Sequence, residues 1–70
     1  MMNKLQEIEA AILAALLELG PSTARQVEMH PGVAMACREA RLKARHRLEM
    51  MMHAGKVKSD RAYQGALYWC

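Results

Sequence analysis

Phenylalanine is absent from this sequence, and its three aromatic residues, Tyr63, Tyr68 and Trp69, all fall in the last eight positions. A core built from seven Met and many Ala and Leu instead suits helices that approach closely, with flexible thioethers filling the gaps. The aromatic tail points to helices first and a small sheet last. Cysteine is equally sparse. Cys37 and Cys70 do not make the dense disulfide framework of a small secreted domain, and no signal-like segment opens the chain, so a reduced, cytoplasmic protein is expected. Long apolar runs are missing too. The stretch IEAAILAALLELG carries Glu9 and Glu18 and stops at Gly20-Pro21, short of the roughly 20 apolar residues that span a bilayer. No membrane partner is expected.

Catalytic signatures are lacking as well: there is no phosphate-binding glycine loop, no nucleophile with a plausible base, and no pair of carboxylates on one inward face. The expectation is a protein that is not an enzyme, with no cofactor and no small-molecule ligand. His46, Met50 and His53 share a helical spacing that suits a soft metal ion, but a third firm ligand is wanting. Neither cysteine sits in a Cys-x-x-Cys pair, so no metal site is expected. Repeats and low-complexity tracts are absent, and 70 residues suffice for one small domain, 1–70, with a single core.

Positive charge is what the sequence has in excess, and it lies in one half. Residues 1–35 carry Lys4 and Arg25 against Glu7, Glu9, Glu18 and Glu28; residues 36–70 carry eight Lys or Arg against Glu39, Glu49 and Asp60. The first half is mildly acidic and the second strongly basic. With no strongly hydrophobic helical face beside that charge, nucleic acid fits as the anionic partner better than a membrane surface.

Asn3, with Gln6 three positions on, opens an apolar pattern at Leu5, Ile8, Ile12, Ala15, Leu16 and Leu19, which predicts a helix over 4–19 closed by Gly20-Pro21. Thr23 and Gln26 make a second capping box for a short helix over 23–29, with Ala24 and Val27 inward and Pro31-Gly32 as the following turn. Val33, Cys37, Ala40, Ala44, Leu48 and Met51 then form a stripe at helical spacing that predicts a third helix over 34–54, ended by Gly55. Such a helix would run roughly 30 Å. That is long for so small a domain, so residues 33–38 could instead form a separate turn. After Gly55 the period changes, and two antiparallel strands over about 56–59 and 65–69 are expected, joined by a polar tip.

This order, with the STARQV segment, the HPGV turn, the LEMMMHAGKV ending and an aromatic last strand, resembles the winged helix-turn-helix family of DNA-binding domains over roughly residues 5–69. The resemblance implies an α+β, mostly α fold: three helices with a C-terminal two-stranded β-hairpin wing. It also implies sequence-specific double-stranded DNA binding by a small transcriptional regulator, the third helix in the major groove and the wing on the flanking backbone. The interval from Pro31-Gly32 to Gly55 is about six residues longer than the family's usual pattern. Counted back from Gly55, the groove-entering positions fall on Arg41, Leu42, Arg45 and His46.

On a continuous helix Arg38, Arg41 and Arg45 would follow one flank of the apolar stripe, Lys43 and Arg47 the other, and His46 would lie opposite the core. Arg41 and Arg45 are then expected on bases, and Arg38, Lys43, Arg47, Lys58 and Arg61 on phosphates. Thr23 and Arg25 offer a further phosphate anchor, although Thr23 as a simple cap reads equally well. The competing reading of the basic run is a solvated face with pairs such as Glu39 to Lys43. Met35, Leu42 and Met50 fall on the outward face, as a dimer or thymine-methyl contact or because the helix breaks near residue 38. A homodimer would extend the small footprint over paired half-sites. The alternative function is a winged-helix protein-interaction module that touches no DNA.

Overall fold

A computed structural model of the chain describes residues 3–60 and 67–70. Helix α1 (Lys4–Leu19) starts where Asn3 accepts the Gln6 N–H at 2.8 Å while Gln6 Oε1 accepts the Asn3 N–H at 3.1 Å. It stops at Gly20, whose φ of 74° and ψ of −160° lie in a region open almost solely to glycine. Strand β1 (Ser22–Thr23) follows, and the Thr23–Gln26 box then opens α2 (Ala24–Met29). Both capping boxes and both helix ends agree with the sequence expectation to within a residue.

The third helix does not. The expected run over 34–54 is two helices, α3 (Pro31–Ala40) and α4 (Ala44–His53), with Arg41 to Lys43 between them. Arg41 turns left-handed, φ 57° and ψ 36°, and is the one non-glycine with positive φ among the described residues. Its N–H bonds the Arg38 carbonyl at 3.3 Å, and the Leu42 N–H bonds the Cys37 carbonyl at 3.1 Å. That pairing closes a helix end with a Schellman motif. Lys43 is then extended, φ −94° and ψ 133°, and α4 begins anew. Pro31, expected in a turn, instead serves as the first residue of α3, where its missing N–H would have no helical partner anyway.

Strands β2 (Lys58–Asp60) and β3 (Leu67–Trp69) pair antiparallel, Ser59 opposite Tyr68. They lie within or close to the expected strand ranges; positions 65 and 66 and the Gln64 tip fall outside the described residues. β1 was not expected as a strand. It pairs with the other edge of β3, Ser22 opposite Tyr68, so the sheet order is β1-β3-β2. The fold is mostly helical with a small three-stranded antiparallel sheet.

One core joins these layers: Ile8, Ile12, Ala15 and Leu16 from α1, Val27 from α2, Val33 from α3, Ala44, Leu48 and Met51 from α4, with Val57 and Tyr68. Each fully buried large apolar side chain contributes roughly 1.5–3 kcal/mol. The stripe on the basic half is therefore real core, although Cys37 and Ala40 are only half-buried. Leu5 and Leu19, at the ends of the α1 pattern, stay 41% and 48% exposed.

Among the described residues, two glycines carry positive φ with nothing within 4 Å of the place a Cβ would take. Any loss on substitution therefore comes from the backbone alone. Gly55→Ala, at the ordinary left-handed end of α4 (φ 78°), is expected to lower stability by about 1 kcal/mol. Gly20→Ala, at its more restricted ψ, should lower it by about 2 kcal/mol. Urea titration of the two variants checks the order.

Candidate nucleic-acid interface

The break at Arg41 determines where the charges go. A continuous helix would have put Lys43 across the stripe from Arg38, Arg41 and Arg45, but the turn brings all four to one groove of about 630 Å³ beside α2. Ala34, Cys37, Leu42 and Ala44 give this groove an apolar floor, and Glu28 of α2 supplies a carboxylate to its wall. It opens onto the start of α4. Lys43 occupies the N-cap position there without a side-chain hydrogen bond, so the first-turn N–H groups, which no helical carbonyl reaches, lack a side-chain cap. The positive end of the helix and four cationic side chains thus coincide, a setting that favours anions.

Arg45, in the first turn of α4, donates from Nε to Glu28 Oε2 at 2.9 Å; the two side chains are 63% and 37% exposed. An ion pair so open to water contributes about 0.5 kcal/mol. Burial first, and the nearby Glu28 carboxylate second, push the Cys37 thiol above its ordinary range, so it stays protonated and serves as apolar lining. Comparison of the chain with family models, curated proteins and solved structures returned no match. The geometry of the groove has to stand on its own.

Arg47 lies elsewhere. Its side chain is 18% exposed and its Nε is 3.8 Å from Glu9 Oε2 on α1, too far for a hydrogen bond but close enough for charge contact. Lys56 reaches the same carboxylate at 2.6 Å. Glu9 therefore ties α4 and the segment after it back to α1, and Arg47 is built into the fold rather than presented at the groove. His46 is exposed on the first turn of α4, Arg25 is exposed on α2, and Lys58 is exposed at the start of β2. Arg61 lies outside the described residues. Thr23 is engaged as a cap, its Oγ1 accepting the Gln26 N–H at 3.2 Å.

Leu42 lines the groove at 39% exposure, while Met35 and Met50 remain exposed on their own helices, so the break does not turn these three inward. It does put Glu39 and Lys43 on either side of the interruption, outside one continuous helical face. Among the described residues no group of three or more His, Cys, Asp or Glu could hold a metal ion, and no helix is long and apolar enough to cross a membrane.

Sequence reasoning missed two residues that shape this region. Glu28 is one. The other is His30, which caps α3 by accepting the Gly32 N–H at Nδ1 (3.2 Å) and meets Glu18 of α1 at Nε2 (3.0 Å). With Nδ1 accepting, the ring proton belongs on Nε2, so one imidazole fastens the start of α3 to the end of α1. Their partners lie 17 and 12 positions away, and no local spacing signals them.

Proposed function

We propose that the protein is a sequence-specific double-stranded DNA-binding protein, a small cytoplasmic transcriptional regulator of winged helix-turn-helix type. The observation that carries this reading is the meeting of Arg38, Arg41, Lys43 and Arg45 at the uncapped start of α4. α4 is the helix that leads into the β2–β3 pair, the place a recognition helix takes before a wing, and α3 is then an additional helix between it and α2. With its first turn in the major groove, Arg45 and His46 face base edges, Arg41 enters from the preceding turn, and Arg38, Lys43 and Lys58 meet phosphates. The strained backbone at Arg41 agrees with this. A left-handed arginine where glycine would be easier is the kind of local conflict that persists when the side chain has a use.

Salt dependence tests the reading. Arg38, Lys43 and Lys58 on phosphates imply a slope of log K against log salt of roughly −2.7, or about 40-fold weaker binding on going from about 50 to 200 mM salt. Fluorescence anisotropy with a labelled duplex measures it. A flat salt profile, or no binding at the low-salt end, would reject DNA as the partner.

The exposed Leu19, Met29 and Met35 around the α2–α3 junction favour a second reading, a protein-interaction surface. It is the expected outcome if duplex binding fails. Sedimentation at several concentrations decides whether a second copy of the chain covers that surface.

A further inference from the structure

The groove that gathers four cations also holds a carboxylate, and a phosphate-binding surface has no need of one. Glu28 stands on the groove wall from α2 and bonds Arg45 Nε at 2.9 Å. Arginine carries five N–H donors in a planar fork, and a bidentate contact to guanine uses two of them, either from Nε and one terminal nitrogen or from both terminal nitrogens. Engaging Nε from the side removes the first mode and leaves the end-on mode. The same carboxylate repels a phosphate that tries to settle in the groove without base contacts, as a like charge at an interface does.

Resting on the DNA-binding reading above, we infer that Glu28 is a specificity-determining residue: it aims the Arg45 fork at a base edge and disfavours phosphate-only binding in the groove. The residue acts through Arg45 and need not touch DNA. Its weak contribution to folding makes the consequence measurable, because replacing a half-exposed carboxylate with its amide leaves the core untouched. The position of Cys37 is consistent with this placement, since the Glu28 charge is felt at that thiol on the groove floor.

The test uses the full chain, a preferred duplex selected from a random pool, and a scrambled duplex of equal length. Glu28→Gln should bind the scrambled duplex about 5- to 10-fold more tightly than the parent does, while the preference for the selected duplex falls about 10-fold. Glu28→Asp keeps the charge but shortens the reach to Arg45. It should lose preference without the gain on scrambled DNA. Arg45→Lys introduced into the Glu28→Gln chain should lower preference by less than it does alone, since the two residues act as one unit. Thermal melting of each variant establishes that it is folded. If folded Glu28→Gln keeps the parent's preference, or weakens binding to both duplexes alike, the role assigned to Glu28 is wrong although DNA binding stands. If the parent chain itself binds neither duplex at low salt, the DNA-binding reading fails and this inference fails with it.

Discussion

Arg41→Gly is expected to make the protein more stable and a poorer DNA binder at the same time. The left-handed conformation at φ 57° costs an arginine roughly 1–2 kcal/mol and costs glycine almost nothing. Part of that gain is offset, because glycine also frees the unfolded chain. A net rise of about 0.5–1 kcal/mol is expected, which for a domain of this size lifts the melting temperature by roughly 3 to 6 °C. Binding goes the other way. A guanidinium on a base edge is worth about 1–3 kcal/mol, so affinity for the preferred duplex should fall roughly 5- to 150-fold with relaxed specificity. Arg41→Ala separates the two effects: it loses the side chain, keeps the strain, and should bind as poorly as Arg41→Gly without the gain in stability. Calorimetry and anisotropy on the three proteins suffice. An Arg41→Gly protein that binds as tightly as the parent would remove Arg41 from the interface.

The same turn marks the limit of what could be read from the residues. α1 and α2 were legible because their ends are written in local chemistry: Asn3 with Gln6, Gly20-Pro21, Thr23 with Gln26. The end of α3 has no such mark. Glycine and proline are absent from Arg38 to Leu48, and the stripe of Val33, Cys37, Ala40, Ala44, Leu48 and Met51 keeps helical phase straight across the break. Two signs gave a warning: a helix of roughly 30 Å is long for a 70-residue chain, and it would have left Met35, Leu42 and Met50 on its outward face. What imposes the break lies outside the segment. α3 packs chiefly on α1 and α4 on both α1 and α2, and two short helices let Val33, Leu48 and Met51 all enter one core, as tertiary packing often overrides local preference.

The basic run shows a second kind of limit. Its net charge was evident, but Arg47 answers to Glu9, 38 positions earlier, and Arg45 to Glu28, 17 positions earlier. Charge counting sees neither carboxylate. β1 escaped because two residues are too few to show alternation, and Ser22 and Thr23 already had a reading as a cap. The sheet edge became visible only when β3 came to lie beside it.

Leu48→Ala should be the most damaging of the substitutions considered. Leu48 has no exposed surface and stands on the inner face of α4, one turn beyond Ala44, in the core shared with α1 and α2. Truncating a leucine at such a site removes its transfer energy and leaves a cavity, together about 3 to 4 kcal/mol. A domain of this length has roughly 4 to 10 kcal/mol in all. The melting temperature should therefore drop by roughly 15 to 25 °C. Leu17→Ala is the matched control: the same chemical change on a helical residue that is 76% exposed, expected within about 0.5 kcal/mol of the parent. Equal melting temperatures for the two variants would contradict the packing described for α4. DNA binding offers a further check, because Leu48 touches the groove only through the helix it anchors. Where Leu48→Ala remains mostly folded in the cold, it should bind the preferred duplex nearly as the parent does, and affinity should fall on warming in step with the loss of helix.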